Sequence, residues 1–180
     1  LATVAFEELH SGAQSSSAQE SAVCQELAEN AERNNQIIEQ IYRAAELAEP
    51  TVVFSCTKDH VFALVALCRQ KNLEVGFIVG ETPSSQRVEI LDRFRRSELK
   101  ILINHEILST GIDLPNVKRL IITRPVGSPI LYSQIIGRAL RGPRNGGSEK
   151  NTVVSIKDNL HSYPNASFVY EYFHLMFGNT

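Results

Sequence analysis

The chain has 180 residues, 43% of them hydrophobic, and a formal net charge of −2. That composition belongs to a folded domain with a sizeable core and excludes a disordered chain or an overall basic nucleic-acid binder. Any contact with a polyanion therefore has to be local. No apolar run is long enough to cross a bilayer and no basic-then-apolar leader opens the chain, so no membrane partner is expected. Cys24, Cys56 and Cys68 are odd in number and lack Cys-x-x-Cys spacing, which argues against a disulfide framework or zinc site and fits a reducing cytoplasm. The five histidines lie far apart and form no ligand pair, so no metal site is expected.

In chain order, "LATVAFEEL" is a strand candidate, and "HSGAQSSSAQES" after it is small and polar, the composition of a flexible loop or linker. Residues 1–21 are thus expected to be a strand and a linker. From Ala22 to Ala48 apolar residues recur at helical spacing (Leu27, Ala31, Ile37, Ile38, Ile41, Ala45), and Pro50 closes that helix. "TVVFSC" is a β-branched run, hence a buried strand, followed by a helix with Val61, Leu64, Val65 and Cys68 on one face. "EVGFIVG" is the next strand, and "SSQRVEILDRFRRS" the next helix, with Ser84 as its expected N-cap. "KILIN", "RLIIT" and "TVVSI" complete the strands. Near-continuous apolar strands alternating with helices predict an α/β fold: a parallel sheet of about five to six strands, helices on both faces. Ligands of such sheets sit at the carboxyl ends of the strands.

The stretch "YSQIIGRALRG" follows the "RLIIT" strand. Ser128-Pro129 marks a helix start and Arg141-Gly142-Pro143 its stop. Gln134, Arg138 and Arg141 fall on one face, and Ile135, Ile136, Ala139 and Leu140 on the side facing the core. Gly137 lies beside the polar face, where a side chain would hold off a ligand, although glycine costs a helix roughly 0.5–1 kcal/mol against alanine. An Arg-x-x-Arg pair alone is ordinary solvated surface. Together with the Gln and Gly, on a capped helix at the end of a parallel sheet, it suits bidentate phosphate binding and stabilisation of charge in phosphoryl transfer.

"QIIGRALR" resembles motif VI of superfamily 2 helicases, Gln-x-x-Gly-Arg-x-x-Arg. "LSTGIDLP" (Leu108 to Pro115) resembles motif V and "VVFSCTK" (Val52 to Lys58) motif IV, in the family's order and spacing. "RPVGSPILYSQIIGRALRG" and the "GETPSSQRVEILDRF" helix are most similar to bacterial DEAD/DEAH-type helicases related to type I and type III restriction-enzyme motors. The resemblance covers roughly Asn34 to Asn159.

The resemblance implies a RecA-like three-layer domain, the second of two lobes that clamp ATP and Mg2+ between them while nucleic acid lies across both. Residues 22–160 would be this lobe, 1–21 the strand and linker leading from the N-terminal lobe, and 161–180 a helical tail. By the family pattern Arg141 is the arginine finger, with Arg138 beside it on the phosphates. Gln134 then senses the nucleotide or bridges the lobes, Gly137 faces the nucleotide, Gly111 lets the backbone approach it, and Asp113 accepts from the ribose hydroxyls. Thr110 or Ser109 contacts a nucleic-acid phosphate. Thr57 and Lys58 either hold a phosphate at a strand end or serve as an N-cap and an exposed lysine. Gly80 is either a close-approach point for nucleic acid or a plain turn residue.

No Gly-x-x-x-x-Gly-Lys-Ser/Thr loop and no Asp-Glu-x-His box occurs in the chain. Both belong to the family's first lobe, which also holds most of the Mg2+ ligands. The chain is therefore expected to be part of a longer cytoplasmic protein, an ATP-dependent helicase or translocase, and inactive alone. The branch resembled favours DNA over RNA. The alternative is a non-catalytic nucleic-acid-binding or scaffolding module on the same fold, against which the two arginines count.

Overall fold

A sheet of six parallel strands runs through the middle of the domain in the order β1-β6-β5-β2-β4-β3. The strands are β1 (Thr3–Ser15), β2 (Thr51–Phe54), β3 (Val75–Ile78), β4 (Ile101–Asn104), β5 (Arg119–Ile122) and β6 (Lys150–Leu160). Between them run α1 (Glu20–Glu29), α2 (Ala31–Glu46), α3 (Lys58–Gln70), α4 (Ser84–Arg95) and α5 (Pro129–Ala139). The computed structural model describes residues 3–17, 19–105, 114, 116–139, 149–161, 169, 172 and 175, without the side chains of 138 and 139.

The central strands β2, β4 and β5 are buried along their whole length, as their unbroken apolar runs require of strands covered on both faces. Alternate residues serve alternate layers. Val52, Phe54, Leu102, Leu120 and Ile122 pack with Leu91 and Phe94 of α4 and Tyr132 and Ile135 of α5. Val53, Ile101, Ile103 and Ile121 pack with Ile37, Ile38 and Ile41 of α2 and Leu64 and Val65 of α3. The expected three-layer α/β domain is the one observed. Among the described residues no helix is long and apolar enough to cross a membrane.

Three local expectations give way. The first strand does not stop at Leu9 but continues to Ser15, pairing with β6 across a register shift between His10 and Gln14, with Gly12 at a φ of 71°. Ser11, Ala13 and Ser15 point inward while Gly12 and Gln14 point out, so small residues carry the period-two pattern there. The segment read as a linker is thus mostly strand and the start of α1. The long helix from Ala22 is two helices, broken at Asn30. That residue takes an extended conformation (φ −74°, ψ 108°) and caps α2 by accepting from Arg33 N–H at 2.9 Å. An asparagine side chain satisfies a helix end better than it serves a helix interior. Finally, Ser84 is the first residue of α4, and Pro83 takes the cap position.

Candidate functional site

Helix α3 leaves β2 onto one face of the sheet, and α5 leaves β5 onto the other. Because β2 and β5 are neighbours, their carboxyl ends part at a topological switch point, where open α/β sheets form ligand crevices. A cleft of about 500 Å³ opens there. Its walls include Cys56 and Thr57 after β2, His105 after β4, Arg124 after β5, and Glu20 and Cys24 of α1.

Thr57 caps α3, its Oγ1 accepting from His60 N–H at 3.0 Å. Lys58 is exposed and pairs with Glu81 across the mouth of β3 at 2.7 Å. Gly80 is exposed, with open space where a Cβ would stand, and its carbonyl accepts from Arg87 Nη2 at 3.4 Å. Arg124 pairs with Glu20 on the opposite wall of the cleft. Behind them Cys56 N–H donates to His60 Nδ1 at 3.2 Å, which leaves Nε2–H to donate to Asn34 Oδ1 at 2.9 Å. Burial alone would push the Cys56 thiol up. The Cys24 thiol, His60 and the Arg33 guanidinium outweigh it and hold Cys56 well below the ordinary thiol range.

Helix α5 starts on Ser128, whose Oγ accepts from Leu131 N–H at 3.4 Å and whose carbonyl accepts from Tyr132 N–H at 3.0 Å. Tyr132 and Ile135 are buried and Ile136 packs against the same core, whereas Gln134 and Gly137 face outward. Among the described residues nothing stands within 4 Å of the Cβ position at Gly137. Arg138 belongs to α5, but its side chain lies outside the described set, and Thr110, Gly111, Asp113 and Arg141 lie outside the described residues altogether.

The fold therefore sets Thr57 in the cleft, with Lys58 and Gly80 linked at the neighbouring strand ends through Glu81, and turns Gln134 and Gly137 outward from α5. Sequence reasoning left the role of Asn104-His105 open and missed Arg124 and the buried Arg33 behind it. For Arg124 the available signal was its place directly after a buried strand and before Pro125, a position that favours an extended residue at a strand end.

A model of the helicase conserved C-terminal domain matches residues 30–143, more than half of the chain. The chain belongs to the helicase C-terminal domain family. IRC3 of Saccharomyces cerevisiae is 29% identical over 115 residues, 62% of this chain and 17% of its own length. DBP5 of Kluyveromyces lactis, named an ATP-dependent RNA helicase, is 27% identical over 151 residues, 81% of this chain and 31% of its own. The chain thus spans under a third of either relative. Among solved structures, the C-terminal domain of the DEAD-box protein Dbp5 superposes with a TM-score of 0.66 at 19% identity, covering 98% of this chain and 87% of that one. The RNA helicase Prp28 of Chaetomium thermophilum, bound to ADP, superposes at 0.67 with 16% identity, over 97% of this chain and 36% of that one. Both share the RecA-like fold of this domain, the C-terminal lobe of superfamily 2 helicases.

Proposed function

We propose that residues 22–160 form the second motor lobe of an ATP-dependent helicase or translocase, with 1–21 and 161–180 as its flanking segments. The observation that carries the reading is the placement of α5: a capped helix after β5 that buries Tyr132 and Ile135 and turns the motif VI face, with Gln134 and Gly137, away from the core. In the closed two-lobe state Arg141 would reach the γ-phosphate and Arg138 the neighbouring phosphate oxygens, with Gly111 and Asp113 at the nucleotide. Permanently charged planar forks suit that task. The outward face fits ATP shared with a facing lobe: among the described residues none crowds the Cβ position at Gly137. Bound Mg2+ would neutralise phosphate charge; no step is assigned to it on this chain.

Nucleic acid is proposed to run along the strand ends, gripped through its phosphates by Thr57, Lys58, Gly80 and Thr110. DNA is proposed over RNA on the "RPVGSPILYSQIIGRALRG" framing, which resembles restriction-type motors; the DBP5 relative bears an RNA helicase name. The test is ATP hydrolysis by the complete protein, alone and with single-stranded DNA or RNA. DNA-stimulated turnover supports the reading, RNA-only stimulation replaces DNA, and no stimulated turnover leaves the scaffolding alternative.

A further inference from the structure

Arg33 is a permanently charged side chain with 0% exposure, placed behind the switch-point cleft. Its Nε donates to Asp158 Oδ1 at 2.8 Å and its Nη2 to Asp158 Oδ2 at 2.9 Å. The same Nη2 also donates to the Thr123 carbonyl, and Nη1 lies 3.9 Å from Cys56 Sγ. One guanidinium thus joins α2 to β6 and to the carboxyl ends of both strands that part at the switch point.

Thr123 is where these contacts converge. Its N–H and Oγ1 both donate to the Phe54 carbonyl, at 2.9 and 2.7 Å, which fastens the end of β5 to the end of β2. Its own carbonyl accepts from Arg33, and Cys56 Sγ lies 3.1 Å from it. The next residue is Arg124, which lines the cleft, and Pro125 restricts it to an extended backbone. Four residues later Ser128 starts α5. The direction in which the chain leaves β5 is therefore fixed at the one carbonyl the guanidinium holds.

A buried ion pair is a poor stabiliser, because desolvation offsets its attraction and an apolar pair of similar volume serves a core as well or better. Stability alone does not account for this charge. We infer that Arg33 is a positioning residue: seated on Asp158, it holds the Thr123 carbonyl and so aims Arg124 and α5 at the site. For catalysis the inference rests on the motor-lobe reading; for the placement of the β5–α5 segment it does not.

The test compares the wild-type chain with the apolar double variant Arg33→Met/Asp158→Leu, by thermal melting and amide hydrogen exchange. Positioning predicts a melting temperature lowered only by the loss of the Ser11 hydroxyl's acceptor on Asp158, unchanged protection in β2 and β4, and exchange about tenfold or more faster at Leu131 and Tyr132, whose amides donate to Ser128. Wild-type exchange in that segment, or uniformly faster exchange throughout, overturns it. If the double variant does not fold, Arg33→Lys is measured instead. It keeps the charge beside Asp158 but lacks the fork that reaches Thr123, so the same local loosening is expected and wild-type protection overturns the inference. In the complete protein the double variant should lower kcat for ATP hydrolysis by about ten- to a hundredfold with KM little changed. Unchanged kcat removes the catalytic half of the inference. A wild-type protein that hydrolyses no ATP removes the motor reading instead and leaves the exchange result to decide on Arg33.

Discussion

Lys58 and Glu81 meet at 2.7 Å between the ends of β2 and β3, so the lysine that a phosphate would need already holds a carboxylate. Each keeps the other charged: the hydrogen bond to Glu81 raises the Lys58 amine, and the bond from Lys58 lowers the Glu81 carboxyl. Exposed pairs of this kind exchange partners at little cost. Glu81→Gln should tighten binding of a single-stranded oligonucleotide by about two- to fivefold at low salt, a gain that fades as salt rises. Lys58→Ala should weaken binding and reduce the log–log salt slope by about one. Fluorescence anisotropy across a salt series measures both. If neither variant moves the affinity, Lys58 is only the first residue of α3.

Arg138→Ala and Arg141→Ala, made singly in the complete protein, should each lower ATP turnover by about a thousandfold or more while leaving the melting temperature unchanged. Among the described residues of α5, Tyr132 and Ile135 are the ones that seat the helix in the core. An Arg141→Ala protein that hydrolyses ATP at the normal rate would refute the finger assignment.

Gly76 lies on the edge strand β3, where a Cβ would clash with Leu99 Cδ2 and meet Ile90 Cγ2 at 3.1 Å. Leu99 is itself buried, at 2% exposure, and has little room to withdraw. Gly76→Ala should cost about 1–3 kcal/mol of stability by overpacking. Adding Leu99→Ala should make the two costs less than additive, because the second change vacates the space the first requires. Denaturant unfolding of the two single variants and the double variant supplies the cycle.

Tyr132 of α5 is buried at 1% exposure and shares a hydrogen bond of 3.0 Å with Ser155 of β6. Burial pushes its phenol from 10.0 up to about 12. The folded chain therefore keeps the proton over a range in which the unfolded chain has lost it. The contribution to stability is complete below pH 10 and is lost as pH rises through about 12. Tyr132→Phe should cost about 0.5–1.5 kcal/mol at neutral pH and remove this alkaline slope. Unfolding free energies of the two proteins at neutral pH and above pH 10 give the comparison.

The sheet was legible because β2, β4 and β5 are written as β-branched runs that only a strand covered on both faces can use. The break at Asn30 was not, since neither glycine nor proline marks it and the apolar residues resume at Ile37 after the polar run Glu32 to Gln36. The extension of β1 was hidden for another reason: Ser11, Ala13 and Ser15 alternate correctly but carry almost no hydrophobic contrast. Motif VI could be read on a helix because its capping serine, glycine and stop signals lie within one short stretch. The cleft could not, because its walls come from α1, β2, β4 and β5, and only the strand order brings them together. Arg33 illustrates the limit: on an amphipathic helix an arginine is ordinary surface, and only Asp158, far along the chain, makes it interior.

The parallel pairing of β1 with β6, Thr3 beside Lys150, sets an order for folding as well as for the sheet. Of the described strands, β1 is made long before the strand it pairs with, β6. At ordinary translation speeds that gap is on the order of ten seconds. Through that time β1 is an open strand edge, able to pair with whatever extended segment it meets. Late closure also makes this a chain of high contact order, slow to complete by its topology. Glu7, half-buried beside Arg119, and Glu8, exposed beside Lys157 of β6, are the charged residues that would deter wrong pairing while β6 is still missing.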